Sequence, residues 1–509
     1  MSTQHPDNAS PPPWGSELLA GEEEVREVVY AYEVLGAREQ MWDWEGKDVD
    51  PHVVRKLFET APGFFREHVL GEDVRLTYRL PNPDEEVGEK KVFAEALETI
   101  PLSADVAERF YGRPVAPVFE VILPLTRSSR QLIRVASYYR RVVVGKGDVV
   151  LDDGTRVEDW VGGYRPRRVE VIPLLEDAGS ILGLRRIVGG YLEALKPPYL
   201  RVFIARSDPA LNYGLIPATL LAVAGLWEAR RLGERHGIPV YPIIGAGPPP
   251  FRGHLSPVNV PRFLEAYAGY HTFTIQSAFK YDYPSGVAAE AVEVLRRARG
   301  DPPPPPPPAT LRHVLSRLSD AYGRRVSGLA GLVSLAASLV PRRRARRLHI
   351  GLFGYSREGA AGVKLPRAIR FTAAMYTLGI PPELLGVSAF LELGEEEQAL
   401  VEEAYPTMLH DLAAAAERLS WDAVNMLLGE RRVYERLVAG RGAREALRLV
   451  FEDIHVLESN LGVKAGPRSL SGYRYSNTVC NAVLSLAEGR LEEAASEAVE
   501  AAVMRRFLG

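Results

Sequence analysis

The sequence of 509 residues contains little of several features that define common protein classes. It has one cysteine, Cys480, which excludes an internal disulfide and a cysteine-ligated zinc site and favours a reducing, cytoplasmic location. Its net charge is only −3 and its isoelectric point lies near 6.4. We therefore expect no general attraction to nucleic acid or to a membrane surface.

Long apolar segments and common sequence fingerprints are also missing. The most apolar stretch, residues 326–340, is shorter than the roughly 18 residues of a membrane-spanning helix, and we interpret it as a buried helix. The first twenty residues lack the basic start and apolar run of a signal peptide. GAGPPPFRG, residues 245–253, lacks the spacing of a Walker or dinucleotide-binding loop, and no G-x-S-x-G motif favours a serine hydrolase.

What is present is ordinary globular composition, with 46% apolar and 25% charged residues. The length permits three domains or one large enzyme-like unit. Six short apolar runs, each too short for a helix, alternate with helical patterns. These runs begin at Phe119, Val169, Arg201, Val240, His271 and Leu348.

Strand followed by helix, repeated, predicts a parallel sheet covered on both faces. We expect an α/β fold, a TIM-like (β/α)8 barrel with many additional helices, and keep an open doubly wound sheet as the alternative. The chain is interpreted as a single catalytic unit. Residues 1–115 form an N-terminal tail and helical region, residues 116–390 the barrel, and residues 391–509 a helical region packed on it.

Two biased segments have structural and functional interpretations. Residues 301–308 hold seven consecutive prolines, which indicate an extended stiff loop or a docking site for a proline-binding module. A basic cluster follows the apolar helix, and we expect a solvated helix end there rather than a grip for phosphate. The cluster consists of Arg342, Arg343, Arg344, Arg346 and Arg347.

Polar residues gather where the apolar runs end. Glu176 and Asp208 follow consecutive runs, and three arginines follow others, Arg127, Arg252 and Arg357. In a parallel barrel these ends converge on one mouth. Paired carboxylates suit Mg²⁺ or Mn²⁺, and arginine forks bind carboxylate or phosphate, so we expect a small, multiply anionic substrate. Structural ion pairs around a barrel rim are the alternative.

His5 and residues 41–50 are harder to interpret. A histidine so near a terminus usually belongs to a mobile tail, but if the tail folds over the barrel mouth, His5 could act as a general base. MWDWEGKDVD, residues 41–50, is interpreted as aromatic packing at a helix-to-loop junction.

Seven motifs together resemble the archaeal-type phosphoenolpyruvate carboxylases. The resemblance covers residues 2 to about 386, and beyond them mainly the RRFLG end. The motifs are STQHPDN, MWDWEGK, LPLTRSS, ARSDPALNYG, PPFRGHLSP, TIQSAFKYDYP and IGLFGYSR. The resemblance implies a barrel enzyme that forms oxaloacetate and phosphate from phosphoenolpyruvate and bicarbonate, through carboxyphosphate and a pyruvate enolate held by the metal. It also implies Mg²⁺ or Mn²⁺ as cofactor, no biotin or nucleotide, and a homotetramer.

The resemblance also implies residue roles. His5 would be the catalytic base and Arg252 the essential arginine of the glycine-rich loop. The carried-over ligands are the metal-binding Glu176 and Asp208 and the substrate-binding Arg127, Arg357 and Arg367.

The sequence departs from the longer enzymes of the family at several points. Leu211 stands where they have a lysine after the metal-binding aspartate, and Leu378 stands near the place of a second arginine. The histidine of their glycine-rich loop has no clear equivalent. Arg370, Lys280 or His254 could compensate. The C-terminal effector motif is not matched, which puts regulation by aspartate and acetyl coenzyme A in doubt.

Two rival functions stay open from the sequence. Another barrel lyase or mutase acting on phosphoenolpyruvate or pyruvate could use the same metal and arginines. A non-catalytic binding protein could use the arginine cluster and the proline run.

Overall fold

The computed structural model describes residues 1–15, 18–46, 49–345, 365–438 and 441–509. The sixth apolar run, at Leu348, and with it Arg346, Arg347 and Arg357, lie outside the described residues. Within those residues the chain is mainly helical around one parallel sheet. No helix there combines the length and apolar character that crossing a membrane requires.

Seven parallel strands form a sheet whose order follows the chain. They are β1 Glu39–Asp43, β2 Arg75–Arg79, β3 Glu120–Leu123, β4 Glu170–Leu175, β5 Leu200–Ala205, β6 Val240–Gly245 and β7 Thr272–Phe273. Five of the six predicted runs are therefore confirmed. The strands β1 and β2 were not predicted.

Helices cover the sheet and make up the rest of the described chain. In the first half they are α1 Glu22–Val29, α2 Val53–Thr60, α3 Pro62–Glu67, α4 Val92–Tyr111, α5 Ser129–Tyr138, α6 Val157–Val161, α7 Ala178–Leu182, α8 Leu184–Leu195, α9 Ser207–Tyr213, α10 Leu215–His236 and α11 Val260–Tyr267. In the second half they are α12 Ser277–Tyr281, α13 Ser285–Arg297, α14 Pro308–Ala337, α15 Ala368–Thr377, α16 Glu395–Ala404, α17 Met408–Ala416, α18 Trp421–Gly429, α19 Arg431–Leu437, α20 Arg441–Ser459, α21 Leu470–Glu488 and α22 Leu491–Arg505. Short π-helical segments at Tyr30–Val34 and Tyr139–Val143 extend α1 and α5. Short 3₁₀ helices lie at Val144–Asp148, Pro250–Arg252, Pro382–Leu384 and Val387–Glu392.

The local sequence explains several helix boundaries. Asp177 accepts a hydrogen bond from the Ser180 amide at 2.7 Å and so caps α7. Gly237, with φ of 62°, ends α10 in the left-handed conformation that glycine tolerates. The proline run ends where α14 begins, at Pro308, because proline fits the first helical turn.

Strand residues alternate between two apolar cores, as a period of two requires. Ile122, Phe203 and Ile243 belong to a small core on one face, and Met1 packs against it. Val121 and Val202 belong to the extensive core that the helices share on the other face. Burial on both faces is typical of parallel strands covered by crossover helices.

The N-terminal segment, residues 1–10, begins between the two edges of the sheet. The Ser2 amide donates to the Glu39 carbonyl of β1 at 2.7 Å, and Ser2 bridges to Gln40 in parallel. On its other side, Ser2 bridges to Ile275, just after β7, and the Thr3 amide donates to the Ile275 carbonyl at 3.0 Å. The sheet is therefore curled, so that both of its edges contact the same segment.

The basic cluster corrects one expectation. Arg343 and Arg344 are buried, not solvated. Arg343 donates to the carbonyls of Asn8 and Ala9, and Arg344 pairs with Glu24 and Glu27. Burial disfavours the charged form of Glu27, but Arg344 and Lys280 lower its pKa to about 2. Arg343 therefore holds the N-terminal segment, and Arg344 is paired with acids of α1, as a buried charge requires.

Candidate active site

Glu176 and Asp208 lie at the carboxyl ends of neighbouring strands. Glu176 directly follows β4, and Asp208 lies in the first turn of α9, which follows β5. A Glu176 carboxylate oxygen accepts a hydrogen bond from the Leu125 amide at 2.6 Å. That hydrogen bond connects the loop after β3 to the Glu176 carboxylate. Both acidic side chains are half-buried.

The two carboxylates affect each other's ionisation. Burial, and then the negative charges of Asp208 and Glu45, raise the pKa of Glu176 to about 8. The amide of Leu125 and the Arg79 guanidinium oppose that shift without cancelling it. Like charges held close together are unfavourable without a cation between them. A pair of neighbouring carboxylates supplies the oxygen ligands that Mg²⁺ or Mn²⁺ prefers.

A buried group of ion pairs at the ends of β1 and β2 lies near Glu176 and interacts with it electrostatically. Arg79, which ends β2, donates to both carboxylate oxygens of Asp43 at 2.7 Å and lies 3.0 Å from Glu45. These acids raise the pKa of Arg79, so it stays charged despite its burial. Residues 41–50 therefore do more than aromatic packing, although Trp42 and Trp44 are fully buried as expected.

Arg252 is the centre of a second group and is 1% exposed. Its guanidinium donates to Asp7 at 3.1 Å, to the Gln276 side-chain oxygen, and to the Gly509 carbonyl at 2.5 Å. Its Nε donates to the Ser207 hydroxyl at 3.1 Å, next to Asp208. Burial lowers the pKa of Arg252, and the charges of Asp7 and Asp208 oppose that shift. Asp208 thus interacts electrostatically with both Glu176 and Arg252.

The glycine-rich loop that carries Arg252 is held from both sides. Buried Arg206 donates to the Phe251 carbonyl at 3.1 Å, and Glu383 accepts from the Phe251 amide at 2.8 Å. The Gly247 amide donates to the Arg252 carbonyl at 2.8 Å and closes the loop. Such support fixes a charged side chain within the narrow tolerance that anion binding needs.

His5 lies on the ordered N-terminal segment, not on a mobile tail. Its Nδ1 is 2.8 Å from the Thr3 hydroxyl, and its carbonyl accepts from the Ser277 amide at 3.3 Å. The neighbouring Gln4 side-chain oxygen accepts from the Asp43 amide at 3.0 Å. His5 therefore lies beside Gln276, at the same strand ends as Arg252 and Asp43.

The remaining predicted arginines are less central. Arg127 is 53% exposed and lies 3.6 Å from Asp177, the residue after Glu176, and 3.9 Å from Glu85, so it lies at the rim. Arg367 is half-buried and directly precedes α15, a helix that packs against α9. Arg357 lies outside the described residues.

The three suggested replacements for the missing cations have other partners. Lys280 is buried and pairs with Glu27 at 2.7 Å, and Arg370 donates to the Ala337 carbonyl at 2.9 Å. His254 Nδ1 lies 2.5 Å from Asp411. With His410, these two form a His–His–Asp cluster within 4.8 Å. The short contact between His254 and Asp411 is a hydrogen bond that ties the glycine-rich loop to α17.

Several groups in this region were not predicted. Arg79, Asp43 and Glu45 belong to strands that the sequence did not reveal, although an alternating charged and aromatic pattern is present there. Asp7 lies in the STQHPDN motif, where only the histidine was considered. Gly509 carries no sequence signal for its contact with Arg252, which is 257 positions away.

The fold and this group of residues define an α/β protein with paired acids, a buried arginine and an ordered histidine at the carboxyl ends of one parallel sheet. The family model described as phosphoenolpyruvate carboxylase matches residues 1–509. The chain belongs to the phosphoenolpyruvate carboxylase family. The family and the carboxylase function expected from the sequence motifs are thereby confirmed.

Relatives of similar length support this assignment. A phosphoenolpyruvate carboxylase of Metallosphaera sedula is 47% identical over 513 residues, covering 100% of this chain and 99% of its own. One of Caldivirga maquilingensis is 44% identical over 515 residues, with coverage of 100% and 99%. One of Methanothermobacter thermautotrophicus is 49% identical over 417 residues, covering 82% of this chain and 86% of its own. The archaeal-type resemblance is consistent with all three.

Gly247 leaves room for the Arg252 guanidinium, which gives a testable prediction. A Cβ at position 247 would lie 2.8 Å from Arg252 Cζ. Because that atom ends a flexible side chain, we expect Gly247→Ala to displace the guanidinium without unfolding the protein. A displacement near 1 Å corresponds to a loss of about 100-fold in kcat/KM. Steady-state kinetics together with thermal unfolding measure both effects. Gly331→Ala, at an uncrowded position on α14, is the control, and equal kcat/KM in the two variants would contradict the prediction.

Gly509 is crowded by backbone, which gives a second prediction. A Cβ there would lie 2.0 Å from the Ile369 carbonyl oxygen and 2.6 Å from the Ala373 amide of α15. Backbone atoms cannot move aside easily, so Gly509→Ala should displace the C-terminal residues. There the Gly509 carbonyl accepts a hydrogen bond from Arg252, and the Leu508 amide donates to the Asp7 carbonyl at 2.6 Å. We expect a fall in kcat of roughly 10-fold or more. Gly429→Ala, with nothing within 4 Å, is the matched control and keeps full activity. Wild-type kcat in Gly509→Ala would show that this contact is dispensable.

Proposed function

We propose that the chain carboxylates phosphoenolpyruvate with bicarbonate at the group formed by Glu176, Asp208, Arg252 and His5. The observation that carries this proposal is the pair of neighbouring carboxylates, Glu176 and Asp208, beside the buried guanidinium of Arg252. Burial and the charge of Asp208 raise the pKa of Glu176 to about 8. A pair of acids and an arginine together match a substrate with a carboxylate and a phosphate bound through a divalent ion.

Glu176 and Asp208 would hold Mg²⁺ or Mn²⁺. When bound, the ion supplies Lewis acidity, which stabilises negative charge that develops on substrate oxygens. Binding requires Glu176 to lose its proton, so we expect metal affinity to increase as pH rises toward 8.

The side chains of the chain itself would bind and orient the substrates. Arg252, fixed by Asp7, Gln276 and Ser207, would contact the phosphoryl oxygens during attack by bicarbonate. Arg127 at the rim, with Arg357 and Arg367, would bind further anionic groups of the substrates. The attack yields carboxyphosphate and the enolate of pyruvate.

His5 would act in the second half of the reaction. We propose that its imidazole takes the carboxyl proton of carboxyphosphate, which then breaks down to carbon dioxide and phosphate. The enolate carbon captures carbon dioxide and gives oxaloacetate. The N-terminal segment supports this role because its hydrogen bonds hold His5 at the strand ends.

We also propose a closed, TIM-like barrel, in which the segment at Ser2 completes the ring between β7 and β1. Its contacts to both Gln40 and Ile275 support closure on that side. The division into residues 1–115, 116–390 and 391–509 within one catalytic unit, a homotetramer and a cytoplasmic location complete the proposal. Burial of Arg343 and Arg344 against the N-terminal segment supports a single unit.

A coupled assay of oxaloacetate formation tests the reaction. Purified protein is given phosphoenolpyruvate with and without bicarbonate, and with Mg²⁺ or with a chelator. We expect one phosphate released per oxaloacetate, and activity only when both bicarbonate and the metal are present. Metal-dependent turnover of phosphoenolpyruvate that needs no bicarbonate would instead identify a lyase or mutase. No turnover of phosphoenolpyruvate or pyruvate would favour the binding protein.

A further inference from the structure

A pocket lies at the opposite end of the strands from the candidate active site. It has a volume of about 570 Å³ and is lined by residues at the amino ends of the strands. Glu39 and Arg75 begin β1 and β2, and Thr272 begins β7. Glu176, Asp208 and Arg252 follow the carboxyl ends of the strands, so the length of the strands separates this pocket from the candidate active site.

The charge around this pocket is predominantly positive. Arg38 is exposed and makes no ion pair with a described residue, and Arg299 donates only to backbone carbonyls, of Arg296 and Ala298. The acids nearby are already engaged, since Glu39 is held by Arg201 at 2.8 Å and Asp73 accepts from the Val69 amide at 2.8 Å. Two arginines therefore face the pocket without acidic partners.

Buried Arg201 gives an independent sign of a missing partner. Its terminal nitrogens bind Glu39 and Glu120, but its Nε is buried and has no hydrogen-bond partner. Unsatisfied buried donors are unfavourable and rare in native proteins. Arg201 is 4% exposed and lines the pocket, so this unsatisfied donor belongs to a residue of the pocket wall.

One wall of the pocket is aromatic. The rings of Tyr199 and Tyr241 lie 6.0 Å apart, and those of Tyr241 and His271 lie 4.8 Å apart. Burial, and then the charge of Arg201, lower the pKa of His271, so its ring is neutral at pH 7. Tyr241 is 37% exposed and offers a ring face for stacking.

We propose that this amino-end pocket binds a small organic anion that carries a planar ring, of the nucleoside monophosphate class. Its phosphate would contact Arg38 and Arg299, and its ring would stack on Tyr241 and His271. Arginine forks suit phosphate, and aromatic faces suit a base. The volume is within the range of small-molecule sites. This proposal goes beyond the carboxylase function and does not depend on it.

Calorimetric titration of the whole protein with AMP tests the proposal. We expect saturable binding with a Kd below about 1 mM, and at least about 10-fold weaker binding of adenosine alone and of inorganic phosphate alone. The double variant Arg38→Gln/Arg299→Gln should weaken AMP binding at least 10-fold, and Tyr241→Ala several-fold. Arg448→Gln, which removes one exposed arginine on α20, is the control for loss of a surface arginine and should bind like the parent.

Asp208→Asn separates this pocket from the active site. Because Asp208 lies at the other end of the sheet, that variant should bind AMP as the parent does. The proposal is overturned by the absence of saturable AMP binding up to about 5 mM, or by unchanged binding in the double arginine variant. Loss of AMP binding in Asp208→Asn would also overturn it, since the ligand would then occupy the active site. Equal affinity for phosphate and AMP would remove the ring-binding part and with it the proposed ligand class.

Discussion

Glu176→Gln and Asp208→Asn each lower the rate of oxaloacetate formation by at least about 1000-fold. Each substitution removes one of two carboxylate charges that would hold the divalent ion, while it keeps the shape of the side chain. A factor of 1000 corresponds to about 4 kcal/mol of lost transition-state stabilisation. The coupled assay at saturating Mg²⁺ measures the loss. Calorimetry with Mn²⁺ shows whether metal binding is lost with it.

Glu176→Gln lowers activity, but it should raise the stability of the metal-free protein at high pH. The pKa of Glu176 is about 8 in the folded state, against 4.5 for the ordinary group. The folded protein therefore holds an extra proton between these values, and its stability falls as pH rises from about 4.5 to about 8. Glutamine does not titrate, so this variant should unfold at a temperature about 1 to 3 °C higher than the parent at pH 9 in chelator.

The matched control is Glu396→Gln, which neutralises an exposed acid in the first turn of α16. Its activity and its pH dependence of unfolding should equal those of the parent. Glu176→Gln activity within 10-fold of the parent would remove this carboxylate from the proposed metal site. The change in unfolding temperature between pH 6 and pH 9 should differ between Glu176→Gln and the parent. If it is the same in both proteins, Glu176 does not carry the shifted pKa.

His5→Ala lowers kcat by at least about 100-fold, which is within the range of a positioned acid–base group. The KM for phosphoenolpyruvate should change little, because we assign the anionic groups of that substrate to arginines and the metal. The fold should persist, since the contacts of Ser2, Gln4 and Asp7 hold the N-terminal segment independently of the imidazole. Steady-state kinetics and thermal unfolding measure these expectations.

His455→Ala, an exposed histidine on α20, is the control for histidine removal and keeps full activity. Near-normal turnover in His5→Ala would end the assignment of His5 as the base. A large increase in KM with unchanged kcat would instead place His5 in substrate binding.

The strands that the sequence predicted share one property, which is a run of mostly apolar residues that is buried over most of its length. Residues 120–123 and 200–205 are examples, and their burial in the structure is complete. β1 and β2 lack that property because Glu39, Asp43, Arg75 and Arg79 lie at their ends and pair with charges from other strands. Periodicity reports how each segment is buried, and it cannot detect charged strand ends whose partners come from elsewhere.

The candidate site also contains residues that the sequence pattern could identify, whereas residues with distant partners were misjudged. Glu176, Asp208 and Arg252 were found because each follows an apolar strand, and the carboxyl ends of parallel strands converge. The expected solvation of Arg343 and Arg344 was wrong because their acceptors lie on the N-terminal segment and on α1, more than 300 residues earlier.

By itself the sequence determined the α/β class, most strands and helices, the family and the acidic and basic groups at the strand ends. Only the tertiary structure decided that residues 1–10 lie between β7 and β1, that Arg252 contacts both Asp7 and Gly509, and that a cationic pocket forms at the amino ends of the strands. The reason is that spacing along a chain encodes local burial. Contacts between residues more than 200 positions apart depend on how the sheet curls and which segments meet at its edges.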